Sequence, residues 1–526
     1  MERIKINPII PGFAPDPSIV YVNGTYFLVN SSFHLFPGLP VYASKDLKEW
    51  RQIGNALDRA RHMAFRDSHT KIEVAENVDE TVSAQGGLYA PTIRYHNGTV
   101  YIVCTNVLHK KSLPPGVCEY QNFILSTTDI WADEWNDPVF YDFNGIDTSL
   151  FWDDDGRVYV VGAGSAPCNT AATVIKQFEI DLKTGAKLSE EKVLWEGVTK
   201  VYPEGPHMYK KDGWYYLLIA EGGCYADHHT IMARSREIWG PFDVNPANPV
   251  LPKADPNGYV QFTGHGDLFQ DTSGQWFFVC LGARKNGRRF IMGRESFLTT
   301  ATWPEGEFPV IDTVRLDVSL PVQKATNTIW PDRRKSGRIN VGYVRVRDVN
   351  EESYHYDDTS ITLTSSKADL SQVAKPVTFT GKRQRYLDGS ASATLEPLAV
   401  SSRDGSRLKT GLCYYKDEHR FISLHLDVEA SEVVLEVINK ARCIERRVTR
   451  SVGTLNIGHR TIFGVDYTEK ALVFWYLVEG DKKVVFEPIN TLDLTGQDFV
   501  GPIIGIYAVS DRQCKVQYSG IVLEDF

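Results

Sequence analysis

The sequence predicts an all-β protein in two parts, a five-bladed β-propeller over residues 1–330 and a β-sandwich over residues 331–526. Three observations lead there. A short strand, a tight turn and an aromatic-rich strand recur five times in the first part. Aromatic residues make up 12% of the chain beside 41 Gly and 26 Pro, a composition suited to many strands and turns. From about Gly337 onward, apolar and polar residues again alternate in strand-length runs, the pattern of two packed sheets.

The first unit is Asp16-Pro17-Ser18-Ile19-Val20-Tyr21, the turn Asn23-Gly24, then Tyr26-Phe27-Leu28-Val29. The second runs from Ala90-Pro91-Thr92-Ile93 through Asn97-Gly98 to Val100-Tyr101-Ile102-Val103, and the third from Asp147-Thr148-Ser149-Leu150 through Asp155-Gly156 to Val158-Tyr159-Val160-Val161. The fourth is Glu204-Gly205-Pro206-His207, Asp212-Gly213, Trp214-Tyr215-Tyr216-Leu217; the fifth is Gly266-Asp267-Leu268-Phe269, Ser273-Gly274, Trp276-Phe277-Phe278-Val279. Asn-Gly and Asp-Gly between apolar runs are strong hairpin signals. Five hairpins about sixty residues apart, each followed by further strand-like segments, predict five four-stranded blades. Leu39–Ala43 and Ile231–Arg234 supply third strands, and Ser44–Trp50 turns into an outer one. Trp303-Pro304-Glu305-Gly306 and the stretch to Pro331 read as the closing strand and a crossover, with Arg333-Arg334-Lys335 at the boundary. Sandwich strands are expected around Leu408–Tyr415, Phe421–Leu426, Val433–Val437 and Leu472–Tyr476.

In a propeller the innermost strand of each blade lines a central channel, so the residue opening each unit should face it. Three openings carry acids: Asp16, Asp147 and Glu204. Asp16 lies between two prolines. Pro17 should push it towards extended geometry while Pro15 stiffens the approach, which limits where the carboxylate can point. A turn carboxylate is the alternative for one such aspartate alone; the recurrence at equivalent places favours one shared pocket.

A net charge of −9 disfavours nucleic acid and anionic membranes, which need a basic face, and suits a neutral or cationic ligand. No apolar run approaches a membrane span. The eight cysteines lack metal-site spacing; Cys104 and Cys280 sit in apolar runs as buried thiols. Met1-Glu2-Arg3-Ile4-Lys5-Ile6 is no apolar signal region, so the expectation is an intracellular protein, a secreted form being the alternative. Of three glycosylation sequons, Asn23, Asn30 and Asn97, the first and third are hairpin turns before anything else.

These motifs resemble glycoside hydrolase family 43, the β-xylosidase and α-L-arabinofuranosidase group. The resemblance rests on Asn7-Pro8-Ile9-Ile10 leading into Gly12–Ser18, on Phe33–Tyr42 with Ser44–Leu47, and on Ala90–Tyr95, Ile146–Phe151, Glu204–His207 and Gly264–Asp267, in family order. Tyr89, where a tryptophan is frequent, and His34 depart from the pattern. The second part resembles the family's concanavalin-like C-terminal β-sandwich at Gly411-Leu412, Asp417–Phe421 and Gly501 through Gly505–Ala508. There a sandwich loop helps close the pocket; polysaccharide binding by the sandwich is the competing idea.

The resemblance implies an inverting hydrolase with Asp16 as general base, Glu204 as general acid and Asp147 as the carboxylate that raises the acid's pKa by like-charge repulsion. It also implies Arg294 on the sugar, the alternative being an ion pair with Glu295. Phe33 and Tyr89 would form walls, and His265 would stand near a metal, with Ca2+ in the channel and no required cofactor. His228-His229 reads as surface or subsite decoration, the two rings facing opposite ways. The expected substrate is a xylo-oligosaccharide or an arabinose-substituted one, β-1,4-xylose ahead of α-L-arabinofuranose, with room for a homo-oligomer. A non-catalytic carbohydrate-binding propeller and a retaining fructan hydrolase are the other readings.

Overall fold

Five antiparallel four-stranded sheets follow one another along the first part of the chain. The computed structural model describes residues 2–72, 83–113, 117–165, 173–320, 341–373, 375–399, 407–452, 458–497 and 499–525. The expected boundary at 330/331 and the Arg333–Lys335 run lie outside the described residues.

Blade I comprises Ser18–Val22, Thr25–Val29, Gly38–Ser44 and Arg51–Leu57; blade II, Gly87–His96, Thr99–Leu108, Glu119–Thr127 and Val139–Tyr141. Blade III comprises Gly145–Trp152, Val158–Ser165, Thr173–Glu179 and Lys192–Trp195; blade IV, Glu204–Lys211, Trp214–Glu221, His229–Ser235 and Asp243–Val244. Blade V comprises Val260–Gln270, Trp276–Arg284, Glu295–Thr302 and Val310–Ile311. The innermost strand of each blade touches that of the next, and blade V returns to blade I. The predicted turns hold: Asn23-Gly24, Asn97-Gly98 and Asp212-Gly213 have positive φ at both residues, as a two-residue hairpin with the strands' own twist requires.

The middle strands are apolar on both sides because each blade is sandwiched. In Trp214–Glu221, Leu217 and Ile219 pack on blade III with Val161 and Phe151, while Tyr216 and Leu218 pack on blade V with Phe278 and Phe297. The two-residue period of the strand thus splits one apolar run between two cores. The ring closes through the chain's first strand, Glu2–Lys5, paired with Asp317–Leu320. Val318 and Leu320 enter the core between blades V and I. The closing strand therefore lies within the Trp303–Pro331 stretch expected to contain it.

Among the described residues the second part forms two packed sheets, one of eight strands and one of seven that an eighth from the propeller completes. Every strand anticipated there is present, within Lys409–Asp417, Arg420–Asp427, Glu432–Asn439 and Ala471–Val478. Alternation again assigns faces. In Lys409–Asp417, Leu412 and Tyr414 face the partner sheet, whereas Cys413 and Tyr415 face the propeller, in a cluster with Phe13, Phe33 and Leu35. The propeller also adds a strand to this sheet: Leu35–Phe36 pairs with Arg345 and Val346. Two glycines let backbones meet at the seam. A Cβ on Gly293 would lie 2.4 Å from the Val500 carbonyl carbon, and one on Gly501 would lie 2.2 Å from the Met292 carbonyl oxygen.

Cys104 and Cys280 are fully buried, and all cysteines among the described residues are free. Among the described residues no helix is long and apolar enough to cross a membrane. Asn30 is buried and donates to the Pro15 carbonyl at 2.9 Å, so it serves structure rather than a glycan.

Candidate active site

Three different blades bring Asp16, Asp147 and Glu204 to one cavity of about 680 Å³, which Phe33, Tyr89, His265 and Arg294 also line. Each acid stands where its strand departs from regular pairing. Asp147 lies in a bulge between Ile146 and Ser149, and Glu204 opens its strand at a bulge reaching His207. Asp16 precedes Ser18–Val22. Its φ of +52° is left-handed, not the extended geometry expected before Pro17. The neighbours impose this. Ser31 Oγ donates to Asp16 Oδ2 at 2.5 Å, the Ser31 amide donates to the Pro15 carbonyl at 3.2 Å, and Gly12 N donates to Glu295 Oε1 at 2.7 Å. Phe33, Asp147 and His265 also have positive φ, at +47°, +55° and +41°. Such strain persists only where surrounding contacts over-determine the backbone, and it concentrates at functional sites.

Burial dominates the electrostatics. It lifts Glu204 to about 7, with Asp16 adding to the lift and Arg294 opposing it. Asp147 is itself raised well above the carboxylate range, first by burial, then by Glu204 and Asp16. Repulsion between the two acids thus operates at Asp147, beside a larger effect of burial that the sequence did not reveal. The two acids form a buried pair that retains protons, and desolvation is the larger cause for both. Asp147 Oδ2 accepts from the Gly205 amide at 3.2 Å, so it holds the backbone beside Glu204.

Arg294 turns into the cavity. Its Nη1 is 3.6 Å from Asp16 Oδ1, its Nη2 donates to the Cys224 carbonyl at 2.8 Å, and its guanidinium lies 3.8 Å over the Phe499 ring. The alternative pairing with Glu295 does not occur. Glu295 binds Arg284 at 2.7 and 2.8 Å as well as the Gly12 amide, and so anchors the segment carrying Asp16. Phe33 is 5.3 Å from Tyr89, edge-on, and stacks on Phe13 at 5.8 Å. Tyr89 Oη donates to the Gln85 carbonyl at 2.5 Å.

His265 Nδ1 is 3.8 Å from Asp147 Oδ2, and Gly205 packs against its ring. Among the described residues no three His, Cys, Asp or Glu side chains gather as metal ligands. One imidazole beside one carboxylate does not supply the oxygen-rich shell calcium prefers, so the residues present do not fit a protein-built calcium site. Deeper in the channel, Asp267 ties four blades together. It accepts from Arg94 Nη1 at 2.6 Å, Ser18 Oγ at 2.7 Å and Tyr209 Oη at 2.7 Å, while Arg94 Nη2 meets His207 Nδ1 at 2.8 Å.

Sequence reasoning missed several residues here. His228, read as surface or subsite decoration, is fully buried with Nε2 3.8 Å from Glu204 Oε1, which excludes the surface alternative; His229 faces the other way, as expected, to Glu221. Ser31 and Phe499 carried no motif. His34, whose departure put the subsites in question, is fully buried against Tyr415 of the sandwich, 6.2 Å between rings, and does not line the cavity.

Residues 6–309 match the model for glycosyl hydrolases family 43, and residues 335–518 match the β-xylosidase C-terminal concanavalin A-like domain. A xylosidase/arabinosidase of Butyrivibrio fibrisolvens is 29% identical, over 98% of this chain and 98% of that one. A non-reducing end α-L-arabinofuranosidase of Bacteroides ovatus is 28% identical over 99% of this chain and 94% of its own. A solved family 43 glycoside hydrolase of Bacillus licheniformis superposes with a TM-score of 0.85 at 25% identity, covering 100% of both chains.

Proposed function

Because the chain belongs to glycosyl hydrolase family 43, we propose that its glycosidase chemistry removes single terminal pentoses from xylo-oligosaccharides with inversion, β-1,4-xylose ahead of α-L-arabinofuranose. The observation that supports this most is the set of three acids from three blades in one cavity, with Glu204 lifted to about 7.

In this reading Asp16 is the base. Ser31 holds its Oδ2, and its Oδ1, buried and without a hydrogen-bond partner among the described residues, takes the proton of a water molecule. That water attacks the anomeric carbon. The bond to the leaving oxygen breaks, its electron pair goes to that oxygen, and Glu204 delivers a proton there. Asp147 positions Glu204 through the Gly205 amide. Arg294 reaches sugar hydroxyls while steadying Asp16. Phe33, Tyr89 and, from the sandwich, Phe499 wall the cavity, which favours chain ends over mid-chain positions. Water and protein groups suffice for every step.

The names of the relatives include both xylosidase and arabinofuranosidase activity, and the two pentoses present similar hydroxyls, so assays on aryl β-xyloside and aryl α-L-arabinofuranoside decide the ratio. Glu204→Ala tests the acid. It should abolish cleavage of unactivated xylobiose yet retain far more on an aryl glycoside whose leaving group needs little protonation. Equal losses on both would remove Glu204 from that role, and product of retained configuration by NMR would end the inverting scheme.

A further inference from the structure

We propose that the seam between propeller and sandwich holds a binding site for a small inorganic oxyanion of phosphate size, built by Arg383 with Lys382 and Arg385. A second cavity, of about 250 Å³ and separate from the active site, is lined by these three residues with Gln52, Gly342, Tyr386 and Leu523.

Arg383 ends the strand Phe379–Arg383 and is only 3% exposed. Its Nε, Nη1 and Nη2 are all buried, and none has a hydrogen-bond partner among the described residues. The other buried arginines are treated differently. Arg294 faces Asp16, Arg347 faces Glu418 at 3.3 Å, and Arg420 binds Asp417 at 2.5 Å. At Arg383 the neighbouring ionisable groups are the Tyr42 phenol and a second cation, Arg385. Burial pushes Arg383 down to about 10, which leaves it charged at neutral pH. Arg385 donates to the Pro11 carbonyl and to Tyr42 Oη, both at 2.6 Å, and Lys382 Nζ lies 4.6 Å over the Tyr343 ring. Among the described residues no carboxylate pairs with any of the three.

A buried charge without a counter-charge is strongly unfavourable. A guanidinium fork matches a tetrahedral oxyanion through bidentate donors, and Lys382, which lines the same cavity, adds a point charge. The location gives such an anion a consequence. The Arg383 guanidinium is 5.6 Å from the Phe13 ring, and Arg385 holds Pro11. Both contacts fall on the segment that leads to Asp16, so the anion would fasten the sandwich to the backbone of the base.

The test uses the full chain in phosphate-free buffer, with inorganic phosphate or chloride added at equal ionic strength. At a hundredfold excess over its Kd, phosphate should raise Tm by roughly 2 °C, and chloride should not. Arg383→Met should abolish that response and melt no lower than the wild type in phosphate-free buffer, since it removes the unpaired charge and keeps the side chain's length. Lys382→Gln, at a partly exposed position, should weaken phosphate binding about tenfold by calorimetric titration, the effect of losing one charge-assisted contact. Sulfate and a pentose phosphate ester titrated in parallel tell which oxyanion binds best, and tight binding of any of them supports the site. The proposal is overturned if phosphate acts no better than chloride, or if both variants respond as the wild type does.

Discussion

Replacing Glu204 by Gln tests the electrostatics of the acid without relying on turnover. Glutamine imitates the protonated acid at every pH. Burial raises Glu204 from 4.5 to about 7, so the folded chain binds this proton more tightly than the unfolded chain does. The stability linked to it is complete below about pH 4.5 and is lost as pH rises towards and through about 7. The loss is worth at most about 3 kcal/mol, at about 1.4 kcal/mol per pH unit. A chain of 526 residues changes stability by roughly 1 kcal/mol per degree near its midpoint. Glu204→Gln should therefore melt about 3 °C higher than the wild type near pH 8, and no higher near pH 4. Calorimetric melts of both proteins across that range measure the difference directly. The same proton should appear in catalysis: wild-type kcat/KM on an unactivated substrate should fall about tenfold per pH unit above about 7. A stability gain independent of pH, or a basic limb of the rate profile beginning well above pH 8, would refute the assignment.

Three further outcomes follow from named contacts. In Asp267, burial works to raise the carboxyl, but Arg94 and then His207 outweigh it and bring it to about 2. Asp267→Asn should cost about 3–5 kcal/mol at neutral pH by stranding Arg94, and that deficit should shrink as pH falls from about 4 towards 2; chemical denaturation at both ends of the range measures it. Phe499→Ala removes the ring 3.8 Å from Arg294 and opens one cavity wall; steady-state kinetics should show KM rising about tenfold with a smaller change in kcat. Ser31→Ala deletes the donor to Asp16 Oδ2 and should lower kcat roughly ten- to a hundredfold with KM little changed, a charge-assisted hydrogen bond being worth about 1.5–3 kcal/mol.

The propeller was legible because its signals are local. Asn23-Gly24 or Asp212-Gly213 specify a hairpin through their own φ preferences, and a run such as Trp214–Leu217 reports burial on both faces within a few residues. The acids were legible through position: the same place in three repeated units means the same place around the channel. Local rules failed at the backbone of Asp16. The residue before a proline is extended on average, but here Ser31, Asn30 and Glu295 supply hydrogen bonds that hold the segment left-handed. None of those partners is near Asp16 in sequence. His228 was legible only in part for a related reason: beside His229 it read as surface or subsite decoration, and only the fold places it against Glu204.

The cause of the Glu204 shift shows a limit of another kind. A sequence names the charges that will be neighbours, so repulsion from Asp147 was the mechanism it could suggest. It does not tell how much water remains beside them. In the folded chain desolvation is the largest contribution for both acids, and Asp147 is raised along with Glu204. Two acids that share a dry pocket compete for ionisation, so the state of the pair depends on how closed the pocket is. Phe499 comes from the sandwich, and it lines the same cavity while stacking on Arg294, the cation that opposes the Glu204 shift. The C-terminal sheets therefore bear on the proton of the acid as well as on the shape of the site. On this argument Phe499→Ala, by admitting water, should also draw the basic limb of kcat/KM below about 7. A limb that stays in place while KM rises would confine Phe499 to substrate contact.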